Sequence, residues 1–141
     1  MKKEVVTTKD LMRVVVETIN NNQKATFKVT GSSMMPFFKH EETSVTVVKK
    51  EKAVRQYDVI LFRYQGSYKL HRIIQMNEEY IVASGDALLS KEMIKVDDII
   101  GIVESFEMNG ITTYSSDKIY IKHVKRHLLL KPLIIRLRRF K

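Results

Sequence analysis

Three side chains in this sequence have the types that acyl transfer requires: Ser33, His71 and Asp86. A serine hydroxyl is a weak nucleophile until a base takes its proton. Ser33 sits in Gly31-Ser32-Ser33-Met34-Met35-Pro36, directly after a predicted strand. A glycine lets the backbone turn sharply, and a serine beyond the turn can project its hydroxyl. Nearby N–H groups, such as that of Ser33, can point at a developing oxyanion. His71 lies inside a predicted strand and is followed by Arg72. An imidazole titrates near neutrality and can serve as the base. Asp86, in Gly85-Asp86, has a carboxylate able to hold an imidazole tautomer and stabilise its protonated form. Each residue also has an ordinary structural role. Serines after glycine are common in turns, strand histidines bond to carbonyls, and Gly-Asp pairs are common in turns.

These side chains need a frame that holds them. Thr7 to Asn20 reads as a helix, with Thr7 or Thr8 as N-cap and Asp10 in the first turn. The pattern then changes to period two, the signature of strands. Strands are expected at Thr26–Thr30, Ser44–Val48, Tyr57–Tyr64, Tyr68–Gln75, Glu79–Ala83, Ile99–Phe106 and Ile111–Tyr114. Gln65-Gly66-Ser67 marks one hairpin turn, and Asn109-Gly110 another. The expectation is a catalytic unit over residues 1–119, with its β core at about 26–115. A basic helical tail follows over 120–141. Within the tail, Leu130, Leu133, Ile134, Leu137 and Phe140 form an apolar stripe, and Pro132 should kink or restart the helix.

Taken in order, GSSMMP, YDVILFRY, YKLHRI and YIVASGD resemble the superfamily of type I signal peptidases and SOS/phage-repressor autoproteases. In that superfamily a Ser-Met-x-Pro motif carries the nucleophile, which here is Ser33. A strand of the Asp-Val-hydrophobic type follows, matching Asp58-Val59-Ile60-Leu61. The base precedes an Arg, matching His71-Arg72, and a Gly-Asp motif closes the site, matching Gly85-Asp86. The resemblance covers about Thr26 to Val103. It implies a mainly β fold of the signal-peptidase/repressor-autoprotease type, with an N-terminal helix and a basic C-terminal helix. It also implies a serine endopeptidase acting on a peptide, preprotein or leader through an acyl-enzyme. A histidine base points to the Ser/His branch, that of the endoplasmic-reticulum and archaeal signal peptidases. Lys69, two residues away, is the weaker alternative base.

The sequence departs from the pattern in places. Ala87 follows Asp86 where Asn is usual, and Glu92 stands near the position of a second acid; Asp86 is the expected partner of His71. Glu41-Glu42 replaces a Gly-Asp turn after the proline. Met34, Met35 and Phe37 are expected beside the substrate pocket by position alone.

Composition narrows the functional classes. The chain has 141 residues, no cysteine and four scattered histidines, which excludes thiolate nucleophiles, disulfides and thiolate zinc sites. No cofactor or metal is expected. The net charge of +9 is concentrated in residues 122–141, which hold eight basic residues and no acidic one. Three partners are open to this tail: an anionic membrane surface, the protein's own core or a partner protein, and nucleic acid. No nucleic-acid recognition motif is visible. The residues before the β core, about 25, are too few for a repressor's DNA-binding domain. No export signal or spanning segment is visible, so the expected location is the cytoplasm, peripheral at the membrane. Two functions of different class compete: a Ser/His endopeptidase, and a non-catalytic peptide-binding β module that keeps the fold.

Overall fold

The structure is a computed structural model that describes residues 8–50 and 53–138. Thr7, one of the two N-cap candidates, and Arg139, Phe140 and Lys141 of the tail lie outside the described residues, as does the side chain of Thr8.

Helix α1 spans Thr8–Asn20 and buries Val15, Val16 and Ile19. Asn22, with φ 61°, turns the chain into β1 (Ala25–Lys28). There follow β2 (Ser44–Lys49), β3 (Val59–Tyr64), β4 (Ser67–Met76), β5 (Ile81–Ser84), β6 (Glu92–Ile94), β7 (Ile99–Met108) and β8 (Ile111–Tyr114). All pairings are antiparallel, in the order β1-β2-β7-β3-β4-β5-β6, with β8 added on β7. The fold is therefore mainly β with a helix at each end, as expected. The three-residue strand β6 has no period-two signal and was not foreseen.

The two tightest hairpins follow from their turn residues. Tyr64 pairs with Ser67, leaving Gln65 (φ 49°) and Gly66 (φ 81°) as a two-residue turn. Asn109 (φ 54°) and Gly110 (φ 78°) do the same between β7 and β8. Two consecutive positive φ values match the right-handed twist of the strands, which is why Asn and Gly are favoured there.

Strand β3 is central, and its apolar run divides by parity between two cores. Val59 and Leu61 pack with α1, β2, Met34 and Phe38 on one face. Ile60 and Phe62 pack with Ile73, Ile81, Ala83 and Ile94 on the other. A strand buried on both faces reads as a continuous hydrophobic run.

Helix α2 (Lys118–Arg138) runs through Pro132 without interruption. The expected restart does not occur, because tertiary contacts on the helix override the local cost of proline. The apolar stripe of this helix does not face the core. The buried row is Tyr120, Val124, His127 and Lys131, while Leu130, Leu133 and Leu137 are exposed and Ile134 is half-buried. Among the described residues no helix is long and apolar enough to cross a membrane.

Glu41, in the turn between Lys39 and Thr43, has φ 58°. Left-handed backbone costs a residue with a Cβ about 1–2 kcal/mol, part of which glycine returns through unfolded-state entropy. Glu41→Gly should therefore raise the unfolding free energy by about 0.5–1 kcal/mol. Urea unfolding measures this, and a lowered midpoint would contradict the strain argument.

Candidate active site

Ser33 lies in the irregular loop between β1 and β2. Gly31 opens the loop at φ 85°, and the Met35–Pro36 peptide is cis. The loop is fastened at several points. The Gly31 N–H donates to His40 Nδ1 (2.7 Å), and the buried side chains of Met34 and Phe38 anchor it in the core. Ser33 itself is half-buried. Its carbonyl accepts the Ala87 N–H at 2.9 Å. Its own N–H and hydroxyl have no hydrogen-bond partner among the described residues. Both groups remain free to act on a ligand.

His71, 5% exposed, sits mid-strand on β4 with its ring edge-on to Phe62. Its Nδ1 is hydrogen-bonded to Glu92 Oε1, also buried. A carboxylate accepts, so Nδ1 carries a proton, and in the neutral imidazole Nε2 then keeps its lone pair. This is the tautomer a general base needs.

Gly85 brings the two halves together. A Cβ built there would lie 2.7 Å from the Ser33 carbonyl oxygen and 3.1 Å from His71 Nε2. Any side chain at this position would collide with both, so the close approach of the loop to Ser33 and His71 requires glycine. Ser33 and His71 also line one cleft of about 350 Å³. Its walls are Phe27 to Thr30, at and beyond the end of β1, and Tyr68 to Leu70 of β4. Leu11 and Met12 of α1 close one side.

Asp86 does not play the expected part. The expectation that it orients His71 is corrected by the geometry: its two carboxylate oxygens accept from Arg72 Nε (2.9 Å) and Nη2 (2.8 Å), and both residues are 0% exposed. The reason is strand parity. His71 and Arg72 are adjacent on β4 and project to opposite faces, so each meets a different acid. Asp86 meets the arginine and Glu92 meets the histidine. Glu92 lies 21 positions beyond His71, on β6, two strands away. Only the pairing of β4, β5 and β6 brings it back.

Arg72 uses two more of its donors. Nη1 donates to the Tyr57 carbonyl (2.9 Å) and Nη2 to Tyr120 Oη (2.9 Å). Its guanidinium also lies over the rings of Phe37 (5.3 Å) and Tyr120 (5.5 Å). Burial opposes the charge, but the Asp86 carboxylate more than offsets it, so the guanidinium is held above its ordinary pKa. Burial pushes the Tyr120 hydroxyl up, against the opposing pull of Arg72.

Of the expected pocket neighbours, Met34 lines the cleft. Phe37 instead packs edge-on to Tyr120 (5.6 Å) and His127 (5.5 Å), and Met35 is half-buried outside the lining. Lys69 reaches the cleft wall, but its ammonium sits 5.3 Å from the Tyr64 ring centre.

A family model described as Peptidase S24-like matches residues 2–104. This is more than half of the chain, and the chain belongs to that family. Comparison with curated proteins gives no match. The matched span holds Ser33, His71, Asp86 and Glu92 and ends before α2.

Removing one member of a buried ion pair strands the other. Arg72→Met should cost about 3–5 kcal/mol of stability. Chemical denaturation gives the value, and a loss below about 1 kcal/mol would mean that Asp86 finds another partner.

Proposed function

We propose, from membership of the S24-like peptidase family, that this protein is a serine endopeptidase with Ser33 as nucleophile, His71 as base and Glu92 as the acid that orients the base. The observation that carries the reading is that Ser33 and His71 line one cleft, with the buried Glu92 hydrogen-bonded to His71 Nδ1 on the side away from Nε2.

The steps follow from these positions. Ser33 Oγ attacks a peptide carbonyl and His71 Nε2 takes its proton. The oxyanion that forms accepts the free Ser33 N–H. The carbon–nitrogen bond then breaks, and His71 returns the proton to the leaving amine. Water, deprotonated by the same Nε2, hydrolyses the acyl-enzyme and regenerates Ser33. Glu92, buried beside His71, stabilises the imidazolium formed in each half-reaction. Asp86 supports the site indirectly, by holding Arg72.

The cleft suits an extended peptide. One wall is the β1 side of the sheet, whose outer edge has no strand partner among the described residues, and the lining is largely apolar. A substrate can pair with backbone groups there as an added strand. A histidine base favours the Ser/His branch of the superfamily, and the engagement of Lys69 with Tyr64 agrees with that choice.

The test is acylation by a serine-directed probe, read by intact mass. Wild type should gain one adduct, Ser33→Ala none, and His71→Ala and Glu92→Gln should react at least about a hundredfold more slowly. An adduct that persists on folded Ser33→Ala ends the assignment. Folded wild type that takes no adduct, and leaves captured peptides uncut, favours the peptide-binding module.

The outer face of α2 supports an anionic membrane surface as the partner of the tail. Leu129, Leu133 and Leu137 are exposed there among Lys122, Lys125, Arg126, Arg136 and Arg138. Each basic residue contributes about 1 kcal/mol near such a surface. The protein should co-sediment with vesicles containing phosphatidylserine, not with neutral ones, and Leu133→Asp with Leu137→Asp should abolish this. Equal binding to both vesicle types would remove the membrane from the proposal.

A further inference from the structure

Helix α2 lies beyond the span that matches the family, yet it places three polar side chains behind the site. Tyr120 accepts from Arg72. The Nε2–H of His127 donates to the Asp86 carbonyl at 2.7 Å. Lys131, 7% exposed, donates to the Gly85 carbonyl at 2.8 Å and to Ser84 Oγ at 2.9 Å.

The Lys131 contacts hold the start of one loop directly and reach its far end through the Ser84 hydroxyl. Gly85 begins the loop, and its carbonyl takes one ammonium proton. Ser84 Oγ accepts a second ammonium N–H and donates its own hydroxyl to the Ser90 carbonyl, 2.8 Å away. Ser90 is two residues before Glu92. Gly85 abuts His71 Nε2 and the Ser33 carbonyl, and Glu92 holds His71 Nδ1. Between them, the Ala87 N–H is tied to the Ser33 carbonyl.

We propose that Lys131 is a positioning residue that fastens the 85–91 loop at its start and, through the Ser84 hydroxyl, at its end, so that α2 sets the register of Ser33, His71 and Glu92. The catalytic consequence rests on the Ser33–His71 reading given above; the fastening of the loop does not. Lys131 suits the task because an ammonium offers three donors from one point, and here two buried acceptors converge on it. Burial disfavours its charge, partly offset by Asp86 and opposed further by Lys91, so the contact is made where bulk water does not compete for the acceptors. Ser84, 1% exposed and already committed to Ser90, is an acceptor in this chain and not a second nucleophile.

The experiment uses the full chain and two readouts. Amide hydrogen exchange at Ala87, relative to Val47 in the sheet, reports the loop. The ring nitrogen shifts of His71 report its tautomer. In Lys131→Met, Ala87 should exchange at least tenfold faster relative to Val47, the His71 ring should lose its single Nδ1–H tautomer, and probe acylation of Ser33 should slow at least fivefold. Lys118→Met removes a charge from the exposed start of the same helix and should match wild type in all three. Unchanged Ala87 exchange and ring shifts in folded Lys131→Met overturn the proposal. Should that variant not fold, the wild-type ammonium protons decide. Those of Lys131 should exchange slowly with water, and exchange as fast as that of Lys118 overturns the proposal. A wild type that takes no probe adduct would count against the peptidase reading alone, because exchange and tautomer still report on Lys131.

Discussion

The buried ion pair of Arg72 and Asp86 is the constraint on which the rest of the site depends. Both residues are shielded from solvent, so the pair must be fully hydrogen-bonded to persist. That requirement draws in four separate parts of the chain. Arg72 comes from β4, Asp86 from the loop after β5, the Tyr57 carbonyl from the start of the β3 hairpin, and Tyr120 from α2. Tyr57 is held at φ 79°, a conformation that bulky residues avoid. Its N–H is committed to the Ile73 carbonyl and its own carbonyl to Arg72, so both sides of the strained residue are fixed. Buried charge buys geometry here, by allowing only one arrangement of these segments.

The same parity that gives Arg72 to Asp86 gives His71 to Glu92. Two adjacent residues on one strand thus serve two ends. One face of β4 holds a structural ion pair, and the other holds an imidazole with a fixed tautomer. The surroundings of His71 are dry and partly aromatic, with Phe62 against the ring. In such a medium the Glu92 carboxylate acts strongly on the imidazole, and any unpaired charge would be costly. Gly85 approaches the ring at Nε2, on the side opposite Glu92.

Helix α2 inverts the usual amphipathic arrangement. Its inward row carries Tyr120, His127 and Lys131, and its outward face carries Leu129, Leu133 and Leu137. The inversion has a physical cause. The 85–91 loop presents carbonyl groups, at Gly85 and Asp86, that a purely apolar helix face would leave unsatisfied. Donors on the helix satisfy them, and Val124 and Tyr120 supply the apolar contact with the core around them.

Much of this protein was legible in its sequence. Period-two alternation gave seven of the strands, and Gln65-Gly66 and Asn109-Gly110 gave their tightest turns, because both signals are local. The motif around Ser33 and the pair His71-Arg72 were legible too, since their order along the chain carries the resemblance. Strand β6 was not, because three residues are too few to show a period. Nor was the partner of His71, because Asp86 and Glu92 are both acids at reasonable separations. Only the stacking of β4, β5 and β6, together with the opposite facing of neighbours on β4, decides which acid each residue meets. The inward face of α2 was hidden for the same reason. Its polarity answers carbonyls on a loop more than thirty residues away, and hydrophobic spacing carries no information about them.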